Sequence, residues 1–369
     1  NYGWAVVLFT VILKIITLPL DFWQRFSMKK NAKMMSELAP IMAKLDKAYA
    51  NDKNKLNQEK QKLYKKHGYN MLSGCLPMIV TMTIFFVMFG GLNQCSAYVN
   101  LKVYSELSVH YTDTLSAELS KHTEEYESKR YDILLSGKST AIEDYKTWLG
   151  GQGVAESAFD AEISAATSRI SQIKAEAQAE ARKAVGEFYL EAKEGFLWIT
   201  NISRPDTWVE SFPETAEKFT GTLTKKYRAY KDEFDSELYG EIYKGISEQG
   251  VGYKVGDKHW NGLMILPVLS IALSFLSTFI SNKTSKKKNG EEQQLDPNAA
   301  AAQSSNKVMM FVMPVIMGVF GFVYTATFAL YMVCSSLLSI LFTLAMNPII
   351  DRRIAKIESK VEKPDYRRK

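Results

Sequence analysis

The chain has 369 residues, of which 46% are hydrophobic and 23% charged, with a formal net charge of +6. Its mean hydropathy of −0.15 is ordinary for a soluble protein, yet nearly uncharged windows alternate with stretches rich in Lys, Glu and Asp. This contrast excludes a single globular domain, and the apolar and aromatic content excludes a disordered chain. The three Cys and four His share no spacing typical of a disulfide framework or a metal site. The sequence therefore predicts no metal and no cofactor.

The uncharged windows predict five transmembrane helices, because a hydrocarbon core about 30 Å thick needs about 20 helical residues. The first window is apolar except for Lys14, and the last is long enough for two helices with a turn near 324–327. The chain begins at Asn1 directly before the first window, which is compatible with removal of a leader or an earlier span. The windows are Tyr2–Leu20, Leu72–Gln94, Gly262–Ile280 and Val308–Pro348.

The distribution of charge predicts the orientation in the membrane. The segment Phe22–Asn70 contains 12 Lys/Arg and 4 acidic residues, and basic residues also follow the third and fifth predicted spans. Such an excess is typical of cytoplasmic loops. By contrast, residues 96–260 carry a net charge of −8, while the remainder carries +14. A nucleic-acid-binding protein is disfavoured, because no basic stripe lies outside the membrane flanks, and DNA is not an expected partner.

The predicted fold is an all-α, polytopic membrane protein with a cytoplasmic helical hairpin and a helical extracytoplasmic insertion. We divide the chain into eight segments on these grounds. They are a first transmembrane helix (1–21), the hairpin (22–70), a second transmembrane helix (71–95), the extracytoplasmic insertion and loop (96–260), a third transmembrane helix (261–281), a cytoplasmic loop (282–307), the fourth and fifth transmembrane helices (308–348) and a basic cytoplasmic tail (349–369).

The hairpin is predicted from apolar residues at helical spacing on both sides of a turn at Asn51 and Asp52. Several of these residues are methionines, which suit surfaces that accept varied apolar partners. For most of them, packing within the hairpin is the favoured interpretation. The residues that could instead receive a partner are Met28, Lys29, Lys30, Met34 and Met35.

The segment 96–260 is predicted to form long helices or a short antiparallel coiled coil, because it is rich in Ala, Glu, Lys and Gln. The helical runs are expected over 103–135, 154–194 and 221–246, with glycines at 150, 151 and 153 between the first two. No catalytic motif occurs there, so its carboxylates are interpreted as a solvated helix face. The chain is not expected to be an enzyme.

Lys14 is energetically unfavourable in the first predicted span, because placing a lysine at the bilayer centre costs from about 2.5 to more than 10 kcal/mol. One interpretation is that the side chain extends to the inner headgroups. The other is that Lys14 faces a water-filled cavity, with Thr10 and Thr17 on the same helix face. No Asp or Glu lies inside a predicted span, so we expect Lys14 to have no counter-charge within the chain. An unpaired cation would attract acidic groups on whatever enters.

Several short motifs in this order resemble the YidC/Oxa family of membrane protein insertases. The resemblance covers the predicted membrane core and the hairpin. It departs from the family at Lys14, which replaces a single Arg, and in an insertion over about 96–194. The motifs are Asn1–Ala5 with Lys14–Leu20, Ser27–Lys30 with Met34–Ile41, Tyr64–Gly68 with Gly74–Met78, Phe196–Ile199 with Ser203, Pro205 and Asp206, Gly262–Pro267, and Phe328–Tyr331.

The resemblance implies an insertase and chaperone of the bacterial plasma membrane that works without nucleotide hydrolysis. Its substrates would be nascent membrane proteins, which enter a hydrophilic groove formed by Lys14, Thr10, Thr17 and Tyr331. The lipid bilayer is an implied partner, and the ribosome and the Sec translocon are further candidates. The insertion would bind a partner that the resemblance does not identify. The basic tail from Arg352 to Lys369 could contact ribosomal RNA, although ordinary positive-inside anchoring is favoured.

Two alternatives remain open at this point. A transporter or channel could use Lys14 in an anion pathway, although we find no internal repeat of the kind that transporters usually show. A membrane-anchored receptor could use the extracytoplasmic helices to bind a partner, although one span would be enough to anchor it.

Overall fold

A computed structural model describes residues 2–67, 72–125, 133–134, 138–231, 233–286, 312, 315–316 and 318–358. The chain divides into two compact units. The first unit comprises Asn1–Asn93, Arg204–Thr207 and Leu263–Lys369, and the second comprises Gln94–Ser203 and Trp208–Gly262.

Among the described residues are nine α-helices with defined ends and one two-stranded sheet, besides a helical stretch at 318–323. In chain order these are α1 (Tyr2–Ala48), α2 (Lys53–Lys66), α3 (Leu72–Glu125), α4 (Ala141–Gly151), α5 (Phe159–Ala192), α6 (Ala216–Thr222), α7 (Ser236–Gln249), β1 (Tyr253–Val255), β2 (Lys258–Trp260), α8 (Ile265–Lys286) and α9 (Ala326–Glu358).

Helix α1 joins the first predicted span to the first arm of the hairpin without a break. It passes through Pro19 and Pro40, so the boundary expected at residues 21–22 is not a helix boundary. The predicted turn is confirmed, because α1 ends at Ala48 and α2 begins at Lys53. Asp52 caps α2 by accepting a hydrogen bond from the amide of Lys55 at 3.0 Å.

Three of the described helices are long and apolar enough to cross a membrane. They contain the stretches Tyr2–Asn31, Met82–Lys121 and Ala326–Ile357, and Ile265–Ile280 is a shorter apolar helix. Part of the fourth predicted span lies outside the described residues, but 318–323 are helical and the helix breaks at Tyr324 and Thr325, as predicted. The predicted class, an all-α polytopic membrane protein, is confirmed.

The predicted loop and tail are only partly described. Helix α8 extends into the loop as far as Lys286, and α9 extends into the tail as far as Glu358. The remainder of both segments, 287–307 and 359–369, lies outside the described residues.

The second unit is built on the outer half of α3, which continues to Glu125 instead of ending near residue 95. His110 on α3 stacks on Phe188 of α5 with ring centroids 4.6 Å apart. Helix α7 packs on the same core, which buries Leu107, Val185 and Ile242. The helical prediction is therefore right for most of this unit.

In the second unit, one local prediction is wrong and one feature was not predicted. The amphipathic run over 221–246 is interrupted, because α6 ends at Thr222 and α7 begins at Ser236. Residues 253–260 form an antiparallel hairpin, in which Tyr253 pairs with Trp260. Its turn contains Gly256 at φ 62°, a backbone conformation that glycine adopts at little cost.

Candidate functional site

The predicted groove residues of α1 lie on one buried face of the helix. Thr10 donates a hydrogen bond to the carbonyl of Val6 at 2.7 Å, and Thr17 donates to the carbonyl of Lys14 at 3.3 Å. Both hydroxyl groups are thus satisfied by their own helix, as threonines inside helices commonly are. They make a compact polar stripe without presenting an unpaired hydroxyl proton in this conformation.

Lys14 is paired with Asp21, so the expectation that it has no counter-charge is wrong. The Lys14 Nζ and Asp21 Oδ2 atoms are 3.2 Å apart, and the two side chains are only 15% and 16% exposed. The predicted span ended at Leu20, one residue before this partner. Seven residues correspond to about 10.5 Å along a helix, so the lysine side chain runs toward the hairpin end of α1. This is the direction expected for a side chain that reaches toward the inner headgroups.

Asp21 also acts on two further residues of this site. Its charge interacts with the guanidinium of Arg25 on α1 and with the phenol of Tyr331 on α9. Tyr331 is buried and is hydrogen-bonded to Ser335 one turn farther along α9. Lys14, Asp21 and Arg25, which we call the charged cluster, carry a net charge of +1. The structure places Lys14, Thr10 and Thr17 on one face of α1 and Tyr331 within reach of the charge of Asp21, and it adds Asp21 and Arg25, which the sequence analysis missed.

Contacts between α1 and α9 continue beyond the charged cluster. Lys29 Nζ lies 3.1 Å from Asp351 Oδ1, and the guanidinium of Arg353 lies over the ring of Phe22, 5.7 Å from its centroid. Each pairs a cation with an anion or an aromatic face, which lowers the cost of placing charge on these apolar helices.

The predicted client-receiving residues have different environments. Met28 is 53% exposed, Lys30 is exposed and Met34 is half-buried, whereas Lys29 is tied to α9. Met35 lies in α1, but its side chain is outside the described residues.

The interior of the hairpin holds its two helices together. Leu38 and Met42 are buried, and the Tyr64 hydroxyl lies 3.8 Å from the Met42 sulfur. Lys60 Nζ is 2.7 Å from Asp46 Oδ1. Met42 therefore packs within the hairpin, as the sequence favoured for most of its methionines, and Met28 remains open to a partner.

Residues 204–207 fix the starts of α8 and α9. Asp206 accepts hydrogen bonds from the amides of Leu263 at 2.8 Å and Met264 at 3.2 Å through one oxygen, and from that of Leu266 at 2.8 Å through the other. The carbonyl of Arg204 accepts from the amide of Ala326 at 2.8 Å. The sequence does not reveal this cap, because Asp206 lies about sixty residues before the helix that it caps.

An aromatic group packs beside the start of α9. The ring of Phe89 on α3 lies 4.7 Å from that of Tyr324 and 5.1 Å from that of Phe328, in edge-to-face contact. Tyr331 is three residues farther along α9 than Phe328. The polar face with the charged cluster is therefore followed, toward the start of α9, by an apolar aromatic layer.

The described residues include no group of three or more His, Cys, Asp or Glu side chains that could hold a metal ion.

Fold and site together define an all-α polytopic membrane protein with a charged cluster inside its first long helix. A family model described as 60Kd inner membrane protein matches residues 1–135 and 183–353. The chain belongs to this family, and its resemblance to the YidC/Oxa insertases is confirmed. The internal segment that the model does not match, 136–182, is narrower than the insertion expected over 96–194.

Three curated relatives are named membrane protein insertase YidC. That of Helicobacter pylori is 43% identical over 89 residues, which cover 24% of this chain and 16% of the relative. That of Fusobacterium nucleatum is 42% identical over 94 residues, covering 26% and 44%. That of Leptospira interrogans is 33% identical over 117 residues, covering 30% and 18%. The chain thus matches less than half of the length of each of these relatives.

Proposed function

We propose that this protein inserts newly made membrane proteins into the bacterial membrane through a hydrophilic groove lined by the charged cluster, Thr10, Thr17 and Tyr331. The observation that carries the proposal is the position of Lys14. Its ammonium lies inside a long apolar helix, 3.2 Å from the carboxylate of Asp21. Charged groups inside membrane helices usually mark a functional pathway. The printed names of the relatives support the same activity.

Insertion in this proposal requires no nucleotide. A polar tail of the client, the protein being inserted, enters the groove while it is still partly hydrated. Its acidic residues are attracted to the cluster, because one charge pair at 4 Å is worth about 4 kcal/mol at an effective dielectric constant of about 20. The apolar helix of the client then partitions into lipid, which contributes about 0.8 kcal/mol per buried methylene group. This free energy drives the transfer of the polar tail across the membrane.

The first turns of the hairpin, around Met28 and Lys30, are the proposed receiving surface on the cytoplasmic side. Met28 offers an exposed apolar side chain, and Lys30 an exposed ammonium. They lie on the same unbroken helix as Lys14, about 21 to 24 Å away at 1.5 Å per residue. In this proposal, a client that binds at the hairpin moves along α1 to the charged cluster. The ribosome and the Sec translocon are proposed as additional partners that deliver or share clients.

The charge of Lys14 tests this function. In proteoliposomes, we expect Lys14→Arg to insert a client with an acidic tail about as well as the native chain. Lys14→Glu changes the cluster from +1 to −1, so insertion should fall by about tenfold or more, given the pair energy above. The measurement is the protease-protected fraction of the client.

Two controls accompany the Lys14 variants. A client with a neutral tail should respond little to Lys14→Glu, and the same reversal at the exposed Lys44 of α1 should leave both clients unaffected. Equal insertion of the acidic client by the native chain and Lys14→Glu would refute the proposed role of the charge.

A further inference from the structure

We propose that Asp21 is a specificity-determining residue, because it occupies the carboxylate position on Lys14 that an acidic group of the client must take. This inference rests on the proposed function, since it concerns how the same groove selects its clients. In the structure, Asp21 accepts a hydrogen bond from Lys14 Nζ at 3.2 Å, and both side chains are largely buried. The cation is thus already paired before a client arrives.

The pairing explains how Lys14 is tolerated when the groove is empty. An ammonium without a partner inside a membrane helix is strongly disfavoured. Asp21 lies two helical turns from Lys14, so the lysine reaches its partner only by extending toward the hairpin. This position is also the one that a client tail approaching along α1 reaches first.

Arg25 makes an exchange of carboxylates possible. The charge of Asp21 already interacts with Arg25, four residues farther along α1. When a client carboxylate displaces Asp21 from Lys14, the released carboxylate can remain paired with Arg25. The site then contains two cations and two anions, so its charges are balanced once the client carboxylate is bound. The cost of opening the resting ion pair is therefore offset within the cluster.

This exchange of carboxylates determines which client tails can bind to Lys14. Asp21 is tethered to the same helix as Lys14, so its effective concentration at the ammonium is on the order of millimolar or higher. A tail with several acidic residues presents a comparable local concentration of carboxylate, whereas a neutral tail does not compete. Asp21 thereby favours clients with acidic tails at the step when the tail first binds.

The test combines two substitutions with two client tails. Asp21→Asn keeps the size of the side chain and removes its charge, Lys14→Gln removes the cation, and the double variant removes both. Each is reconstituted in proteoliposomes and titrated with a fluorescent client tail that carries either two Asp or two Asn. The control is Glu37→Gln, which removes an exposed carboxylate from the same helix.

We expect Asp21→Asn to strengthen binding of the acidic tail by about tenfold, the scale expected when an intramolecular competitor is removed. The neutral tail should be unaffected, Glu37→Gln should behave as the native chain, and the gain should vanish in the Lys14→Gln background. Asp21→Glu, which keeps a carboxylate, should bind the acidic tail as weakly as the native chain.

The failure of this inference is distinguishable from the failure of the proposed function. Unchanged or weaker binding of the acidic tail by Asp21→Asn, with a native elution profile and melting temperature in detergent, would overturn the competitor role alone. If Lys14→Gln itself leaves binding and insertion of the acidic client at the native level, the proposed function is overturned as well.

Discussion

Asp206 satisfies three backbone amides at the start of α8 with its two carboxylate oxygens. The first amides of a helix have no partner within the helix, and they carry a partial positive charge that favours an anion. The side chain is fully buried, so water cannot replace it. Met264, one of the three donors, has φ 61°, a conformation that non-glycine residues adopt only when their surroundings hold it.

Removal of this cap should be costly. We expect Asp206→Ala to destabilise the protein by about 3 kcal/mol or more, because buried unsatisfied amides cost about 1–3 kcal/mol each. Asp206→Asn keeps one acceptor oxygen and should lose less. The measurement is denaturant unfolding in detergent micelles.

Asp235 provides a matched comparison for Asp206. It caps α7 by accepting from the amides of Glu237 at 2.9 Å and Leu238 at 3.0 Å, but these bonds are exposed. Asp235→Ala should cost only about 1 kcal/mol, as is usual for an exposed cap. Equal losses for the two alanine variants would contradict the argument that burial of the capped amides sets the cost.

Single residues also show what hydropathy could and could not predict. The stripe of Thr10, Lys14 and Thr17 follows from helical spacing alone, and the structure places it as expected. Asp21 was missed because the predicted span was ended at the first acidic residue, where charge was taken to mark the edge of the membrane. The caps at Asp206 and the pair Lys29–Asp351 join residues far apart in sequence, and no local pattern in one sequence reveals such contacts.

At the scale of elements, helices α1 and α3 show that hydropathy does not predict where a helix ends. Hydropathy indicates where a helix leaves an apolar environment, but backbone hydrogen bonds continue across that boundary if nothing interrupts them. Thus α1 extends from Tyr2 to Ala48 and α3 from Leu72 to Glu125, each through a predicted segment boundary. The separation into two compact units at Asn93 and Gln94 nevertheless lies close to the boundary predicted at residues 95–96. Hydropathy therefore located the change in packing, although not the end of a helix.

The contact between α5 and α7 depends on two glycines that face each other. A methyl group on Gly186 would lie 2.5 Å from the carbonyl oxygen of Gly245, and one on Gly245 would overlap the carbonyl of Arg182 and lie 2.8 Å from Val185 Cγ1. The absence of side chains lets the backbones approach, and Arg182 Nη1 then reaches Glu241 Oε2 at 2.7 Å.

We expect Gly245→Ala to destabilise the second unit by about 1–3 kcal/mol, the usual cost of overpacking a core. Gly240 is the control, because it lies on the same helix with open space around its α-carbon. Gly240→Ala should be neutral or stabilise α7 by up to about 1 kcal/mol, since alanine favours helix more than glycine does. Hydrogen exchange of the second unit reports both effects, and a loss as large for Gly240→Ala as for Gly245→Ala would contradict the close-packing argument.

At the scale of the whole molecule, the second unit contains two separate apolar cores. The larger is formed by α3, α5 and α7 with residues near 212–223 and 251. The smaller surrounds Tyr145, Leu149 and Ala166, and it belongs largely to the part of the chain that the family model does not match. Composition predicted helical runs that include most of α3 and α5 but not α4, and the division into two cores depends on which helix faces meet.

Because the two apolar cores are separate, one experiment can distinguish the proposed insertase from the receptor alternative. Residues 122–174 contain the smaller core and none of the buried residues of the larger one. His110 on α3 stacks on Phe188 on α5, so the two helices meet at residues that flank this segment, which we call the far segment. A flexible Gly/Ser linker of about 12 residues, with a typical end-to-end distance of about 20 Å, can rejoin the two helices.

We expect the chain with this replacement to retain its larger core and to insert an acidic-tailed client at a rate within about twofold of the native chain. The reason is that every residue of the charged cluster and of the proposed groove lies outside the replaced segment. The measurements are the protease-protected fraction of the client and hydrogen exchange at Leu107, Val185 and Ile242, which reports whether the larger core is intact. Loss of insertion with that core protected as in the native chain would place an essential part of the function in the far segment. It would thereby favour a protein whose extracytoplasmic helices recognise the partner.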